Sequence, residues 1–409
     1  VTATTPSPAP VLFLTHRVPF PPDKGDRIRN WHLLRQLAAR SPVWLGCLAD
    51  EPVRPETRAE LERVCERLAV VPVGGLLRWA RAGLRLLTGG SLSEGLFSSG
   101  RLRDVIRHWA NSTRFRAAVA SASSLAPYLR DPALSGTPAV VDLMDVDSQK
   151  WFDFAAASYP PKRWLYRLEA SRVRRLEAGL PGWTRAVSVV SQIEADIFES
   201  FTQPGTATVA SNGVDLDYFR PTAAATEPAC AFTGAMDYLP NVDGAVWFAR
   251  EVWPAVREKF PTAEFRIVGR KPAPAVQALA KLPGVMVTGA VPDVRPFVAT
   301  AAVVVVPLRL ARGVQNKVLE ALAMGKPVVA TPAVLAPLGT VPGTDVLCAA
   351  TASEFVRKIS SLFASPSRCR ALGEAGRRYV EKHHHWENCL RPLLEKIFPS
   401  EADDLPRRV

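Results

Sequence analysis

Short apolar runs alternate with helix-length amphipathic stretches along almost the whole chain, and this alternation limits the fold more than any other feature. A strand covered on both faces reads as an unbroken apolar run, and the amphipathic stretch between two such runs supplies the crossover that parallel strands need. The expected class is α/β. A first series of strands is expected at Val11 to His16, Val43 to Leu48, Leu68 to Val73, Phe115 to Ala122, Ala139 to Leu143, Ala186 to Val190 and Thr208 to Ala210. A second is expected at Ala231 to Gly234, Phe265 to Gly269, Val285 to Thr288, Val303 to Pro307, Val328 to Thr331 and Val346 to Cys348.

The 409 residues exceed one ordinary core and suggest two domains. Residues 220–229, rich in Pro, Ala and Thr and without an apolar period, read as the linker. The expected division is a disordered tail over 1–10, an N-terminal domain over 11–219, a C-terminal domain over 230–385, and a last helix and tail over 386–409 that returns to the N-terminal domain. After residue 351 the chain reads as helical to about Phe398, with Pro392 bending or beginning the last segment.

No segment reaches the run of about 18 apolar residues that spans a bilayer. The first ten residues carry neither a basic region nor an apolar core, so a secretory signal is not expected there. Cys47, Cys65, Cys230, Cys348, Cys369 and Cys389 form no close pair, which argues against a zinc site and a disulfide framework and fits a cytoplasmic protein. The 51 basic against 39 acidic residues give a net charge of +12, pointing to an anionic partner. Arg78, Arg81 and Arg85 interleave with Leu76, Leu77, Trp79, Leu84 and Leu86. In residues 161–176, Leu165, Leu168, Val173 and Leu176 keep helical spacing beside Lys162, Arg163, Arg167, Arg172, Arg174 and Arg175. These stretches read either as helices facing an anionic membrane surface, placing the protein peripherally at the inner face of the plasma membrane, or as core-packing helices whose arginines face water.

The segment from Pro307 to Pro327 carries the most chemistry. It follows a strand, bends at Gly313 and enters a helix near Gln315, so the backbone N–H groups of Gly313, Val314, Gln315 and Asn316 lie where a helix dipole favours a diphosphate. Lys317 adds a full charge, Arg312 is a second candidate for the phosphate, and Glu320 stands one turn on, where a carboxylate accepts hydrogen bonds from both hydroxyls of a ribose. Gly325 and Pro327 end the helix.

This segment resembles the donor-binding signature of retaining GT-B glycosyltransferases of family four, E-x7-E followed by A-x-A-x-G-x-P. Glu320, Ala321, Ala323, Gly325 and Pro327 match, and Arg312 stands where the first glutamate falls. The closest likeness is to sugar transferases associated with exosortase and exopolysaccharide clusters, which carry G-x-Q-N-K-x-L-E-A here. Ser211-Asn212-Gly213-Val214-Asp215 with Phe219 and Pro221 resembles the motif closing the family's N-terminal domain. Phe232-Thr233-Gly234 through Asn241 resembles its glycine loop, without the usual arginine and lysine, so Lys317 and Arg312, then Arg270, are the phosphate candidates. Phe265 to Gly269 and Val287 to Asp293 are similar to the next two strand ends, with backbone near Val291 meeting the base. The resemblance implies two Rossmann-like domains whose parallel sheets face a central cleft. It also implies transfer from a UDP-sugar or GDP-sugar, with retention, to a lipid-linked or polysaccharide hydroxyl in cell-surface or exopolysaccharide synthesis.

On the acceptor side, ligands in open α/β sheets bind beyond the carboxyl ends of the strands. The loop from His16 to Arg27 places Gly25 and Asp26 there, either facing a substrate or as a turn in which Asp26 caps the next helix. Asp142, Asp145 and Asp147 crowd the end of another strand. A D-x-D metal reading is set aside because amides and a lysine are expected to hold the diphosphate, so no cofactor or required metal is expected. Asp147 or Ser148 reads as a helix cap, and Asp145 as the residue that orients the acceptor hydroxyl or stabilises positive charge on the donor sugar. His383, His384 and His385 are adjacent on a helix and point in three directions, so they do not read as a metal site. A nucleotide-sugar 2-epimerase and a basic nucleic-acid-binding protein are the competing readings; nucleic acid is not the expected partner, and the sequence leaves the oligomeric state open.

Overall fold

The computed structural model describes residues 8–224 and 226–399, without the side chains of Leu76 and Leu77. The expected tail over 1–10 therefore lies mostly outside the described residues, as do residues 400–409. All thirteen expected strands form: β1 (Val11–Thr15), β2 (Val43–Ala49), β3 (Arg67–Pro72), β4 (Ala117–Ser121), β5 (Ala139–Met144), β6 (Ala186–Val189), β7 (Ala207–Val209), β8 (Glu227–Thr233), β9 (Glu264–Val268), β10 (Val285–Val287), β11 (Ala301–Val306), β12 (Val328–Ala330) and β13 (Leu347–Cys348). Every residue of β1, β2, β4 and β11 is buried, the physical reason these runs carry no polar alternation.

By its contacts the chain divides into two compact units. The first runs to Ala210 and takes in the chain from Leu390; the second is Ser211–Cys389. The first unit holds a seven-stranded sheet ordered β3-β2-β1-β4-β5-β6-β7, and the second a six-stranded sheet ordered β10-β9-β8-β11-β12-β13. The paired strands run parallel in both. Each order reverses beside its first strand, between β1 and β4 and between β8 and β11, and such a switch point is where doubly wound sheets bind ligands.

Some local expectations are corrected. β8 begins at Glu227, inside the stretch read as linker. The last helix is Trp386–Ile397, so Pro392 lies within it and does not begin it. The helix after β1 is Gly25–Ala38, with Lys24 rather than Asp26 at its N-cap, and the helix after β5 is Asp147–Ala156, with Val146 rather than Asp147 or Ser148 at its N-cap.

Candidate active site

In the second unit, β11 leads through residues 307–315 into the helix Asn316–Ala323. Gly313 takes φ +60°, which turns the chain, and Gln315 at the N-cap gives no side-chain cap to the helix. Its amide instead bonds back to the Arg312 carbonyl at 2.8 Å. The helix stops in a Schellman arrangement: the Gly325 N–H bonds to Leu322 O at 2.9 Å and the Lys326 N–H to Ala321 O at 3.0 Å, with Gly325 at φ +67°.

Packing explains much of the A-x-A-x-G-x-P pattern. Ala321 and Ala323 are buried. The helix Pro366–His383 lies so close that a Cβ on Gly373 would stand 1.9 Å from the Gly325 carbonyl oxygen, and one on Gly376 2.5 Å from Leu322. Arg377 donates to the carbonyls of Ala323 at 2.5 Å and Phe219 at 2.9 Å, tying the helix end to the stretch after Asn212. Asn212 reaches the front of the same helix, its Nδ2 donating to Asn316 Oδ1 at 3.0 Å. His384 in turn holds Asn212, with Nδ1 2.9 Å from its carbonyl.

The charged pair sits at the switch point. Lys317 Nζ donates to Asn241 Oδ1 at 2.7 Å and lies 4.7 Å from the centre of the buried Phe232 ring on β8. A Cβ on Gly234 would stand 2.9 Å from Lys317 Nζ and 2.8 Å from Asn241 Nδ2, and one on Gly269 would stand 1.7 Å from the Gly234 carbonyl. Glycine at 234 and 269 is thus what lets the β8 and β9 turns and the lysine approach one another. The loop after β8 lacks cations of its own, and the missing charge arrives there from the neighbouring helix. Burial pushes the Lys317 ammonium down to about 7, although Glu320 works to raise it. Burial pushes the Glu320 carboxyl up to about 7 against the pull of Lys317. Among the described residues the Glu320 carboxylate has no hydrogen-bond partner, while its backbone carbonyl accepts from the Met324 N–H at 3.1 Å. Both residues are half-buried.

The remaining sites of this unit are more dispersed. Arg270 follows Gly269, and its carbonyl accepts from the Met236 N–H at 2.9 Å. Val291 lies in the loop after β10, the strand three places from β11 in the sheet order. Arg309 in the loop after β11 is paired with Asp243, its Nε donating at 2.9 Å.

In the first unit the three crowded aspartates separate into different roles. Asp142 is fully buried and taken by Arg29, whose Nε and Nη2 donate at 2.7 and 2.9 Å, and by Ser188 Oγ at 2.7 Å. Asp145 stands half-buried on the turn after β5, where Met144 takes φ +65° and the register with β6 shifts. Asp147 bonds Ser123 Oγ at 3.0 Å and Lys150 Nζ at 2.5 Å. Ala122, after the adjacent β4, takes φ +89°. Two non-glycine residues held in the left-handed region at neighbouring strand ends mark stored strain of the kind functional loops carry.

Gly25 is the first residue of its helix. Asp26 turns back to the loop, 2.7 Å from Arg17 Nη1 and 3.1 Å from His16 Nε2. Burial works to raise the Asp26 carboxyl, but His16 and Arg17 outweigh it and hold it well below the usual range. His16 Nδ1 lies 3.4 Å from Ser121 O, so the ring bridges β1 to β4 across the switch point. The sequence reading missed His16, Ser123 and Lys150 as members of this cluster; His16 and Ser123 are marked only by their places just after strand ends, and Lys150 only by its spacing three residues past Asp147 on a helix.

Glu177 also borders it. It is fully buried, with Oε1 3.3 Å from the Ser148 N–H and Oε2 without a partner. Burial, then the Asp147 charge, pushes its carboxyl up to about 8 from an ordinary 4.5. A proton held more tightly in the folded state stabilises below pH 4.5, and that contribution is lost as pH rises through 8. Glu177→Gln, neutral throughout, is therefore expected to melt a few degrees above the parent at pH 9 and level with it near pH 4, read by thermal denaturation.

Residues 227–365 match the family described as Glycosyl transferases group 1. That stretch spans β8 to β13 together with Lys317 and Glu320. The chain is a nucleotide-sugar-dependent glycosyltransferase, with the group 1 match confined to its second unit. The sequence matches no curated protein. Among solved structures, the glycosyltransferase is similar to sucrose-phosphate synthase from Thermosynechococcus elongatus, at 18% identity and a TM-score of 0.69 over 95% of this chain and 99% of that one. It is similar to HepE of Anabaena, solved with UDP and glucose, at 14% identity and a TM-score of 0.68 over 96% and 100% of the two chains. It is also similar to WaaG, a glycosyltransferase involved in lipopolysaccharide biosynthesis, at 14% identity and a TM-score of 0.64 over 95% and 100%. At these identities the likeness establishes the fold, GT-B.

Proposed function

We propose that the enzyme binds a UDP-sugar or GDP-sugar at the β8–β11 switch point and transfers the sugar, with retention, to a hydroxyl of a lipid-linked or polysaccharide acceptor in cell-surface or exopolysaccharide synthesis. The observation that carries this reading is the half-buried pair of Lys317, held at the Gly234 turn by Asn241, and Glu320, a carboxylate without a protein hydrogen bond one helical turn away. In this reading the N–H groups from Gly313 to Asn316 and the Lys317 ammonium take the diphosphate, with Arg312 and Arg270 as further charges. Glu320 takes the ribose hydroxyls. Gly234, Asn241 and Gly269 shape the floor, and backbone near Val291 meets the base.

The reaction breaks the bond between the anomeric carbon and the diphosphate through an oxocarbenium-like transition state. The dominant demand is on the leaving group, whose growing negative charge meets the helix N-terminus and Lys317 already in place. That charge comes from a residue of the chain, so the reading requires no metal. Asp145 orients the acceptor hydroxyl or stabilises the positive charge on the sugar, on a turn that the His16–Asp26–Arg17 cluster borders. Gly25 opens the helix that presents Asp26. HepE and WaaG, a sugar-nucleotide binder and a lipopolysaccharide enzyme by their descriptions, support the donor and the acceptor class respectively.

Incubation with a panel of nucleotide sugars and a membrane extract tests it. Acceptor-dependent release of nucleoside diphosphate is expected; conversion of the sugar without any acceptor would instead assign epimerisation, and no turnover with any donor would remove the reading.

A further inference from the structure

The helix Leu76–Leu87 has its apolar face on the outside. Trp79, Ala80, Gly83, Leu84 and Leu87 follow the i, i+1, i+4, i+5, i+8 spacing of one face, spanning roughly 140° around the axis. Trp79 is 55% exposed, Leu84 63% and Leu87 86%, while Ala82 on the opposite side is fully buried. Arg81 and Arg85 lie past the edge of this face, toward the other side of the helix, where the Arg81 Nε is buried and Arg85 is held by Glu94 at 2.9 Å. A surface helix normally turns such a face inward.

A second outward face begins the helix Lys162–Ala178. Trp164, 65% exposed, lies with the exposed Leu165 and Leu168 on one side, next to exposed Lys162, Arg163 and Arg167; Val173 is buried on the other side. The leucines at 165 and 168 therefore do not pack into the core, whereas Val173 does, so the core-packing alternative fails for the first turns of this helix and holds further on.

Both helices belong to the first unit, and they are fastened together. Arg172, one turn beyond Leu168, donates to the Gly89 carbonyl at 2.6 Å, two residues past Leu87. The fully buried Glu169 accepts from the Leu92 and Ser93 N–H groups at 2.6 and 2.8 Å and from Ser93 Oγ at 2.6 Å. The end of the first apolar face is thus fixed beside the second.

We propose that these two faces form one surface that inserts into the headgroup region of an anionic bilayer. Tryptophan and leucine tips buried in the interface supply apolar energy, and the exposed Lys162, Arg163 and Arg167 of the second helix meet the lipid charge. Nucleic acid and an acidic soluble protein would satisfy the cations but leave these tips in water. No helix among the described residues is long and apolar enough to cross a membrane, so the surface would lie on the bilayer without spanning it. The inference rests on this face alone and is independent of the donor site.

The test is flotation of the full chain with phosphatidylcholine vesicles with and without phosphatidylglycerol, beside calorimetry with UDP and GDP. The wild type is expected to float with the anionic vesicles and to come off in high salt. Leu87→Glu and Trp164→Glu, both at exposed positions, are each expected to lower partitioning about tenfold or more with nucleotide affinity unchanged. Arg163→Gln with Arg167→Gln is expected to weaken binding to anionic vesicles and leave any binding to neutral ones as it was. A wild type that floats with neither vesicle overturns the proposal, as does a Leu87→Glu variant that floats like the parent. Sedimentation showing a dimer abolished by Leu87→Glu would assign the face to a second copy and overturn it equally.

Discussion

Replacing Lys317 with methionine is expected to weaken UDP or GDP binding roughly 10- to 100-fold, the range for losing a hydrogen bond to a charged group. The substitution keeps the length and apolar stem over the Phe232 ring and removes only the ammonium. Glu320→Gln is expected to weaken binding less, because an amide oxygen still accepts from a hydroxyl. Both native groups sit near pH 7 through burial, so nucleotide affinity is expected to depend on pH in both directions. Above 7 the lysine loses the charge that meets the diphosphate. Below 7 the glutamate gains a proton and loses acceptor strength. Calorimetry from about pH 5 to 9 should show an affinity maximum near neutrality, with the alkaline limb absent in Lys317→Met and the acid limb absent in Glu320→Gln.

Arg29→Met is expected to destabilise the first unit by about 3–5 kcal/mol, because it leaves the Asp142 carboxylate buried, with Ser188 still bonded but no cation beside it. For a unit of this size that corresponds to a fall in Tm of about 10 °C. The double variant Arg29→Met with Asp142→Leu is expected to recover much of the loss, since a well-packed apolar pair often replaces a buried ion pair at little cost. The two singles and the double, compared by thermal denaturation, form a cycle. A double variant as unstable as the sum of the singles would show that the two side chains do not act as a pair. The result matters for function because Asp142 lies on β5, the strand that ends at the turn of Asp145.

The strands were legible because parallel sheets bury both faces and so leave apolar runs such as Ala301–Val306 that no other element of that length explains. The helix carrying Lys317 and Glu320 was legible from local chemistry: a glycine bend, then periodic apolar residues, then a glycine stop. What the sequence hid is long-range. Nothing near Asp142 announces that Arg29, 113 residues away, is its partner, so an aspartate of the core was indistinguishable from one at a site. The same holds for Asp26, whose partners His16 and Arg17 precede it in the loop and turn back only through the fold. Lys317 could be named from the sequence as a candidate, but not its place at the Gly234 turn, because the absence of cations in that loop reads as a loss until the helix is seen beside it. The orientation of Leu84, Leu87, Leu165 and Leu168 was ambiguous for a simpler reason: helical periodicity shows that a helix has an apolar face and not which way it turns.

The measurement that bears most directly on the donor site is the structure of the chain with bound UDP or GDP. The diphosphate is expected within hydrogen-bond reach of Lys317 Nζ and of the backbone N–H groups between Gly313 and Lys317, with the ribose hydroxyls on Glu320. A nucleotide seated elsewhere, with Lys317 still bonded only to Asn241 and the Glu320 carboxylate still without a partner, would contradict it.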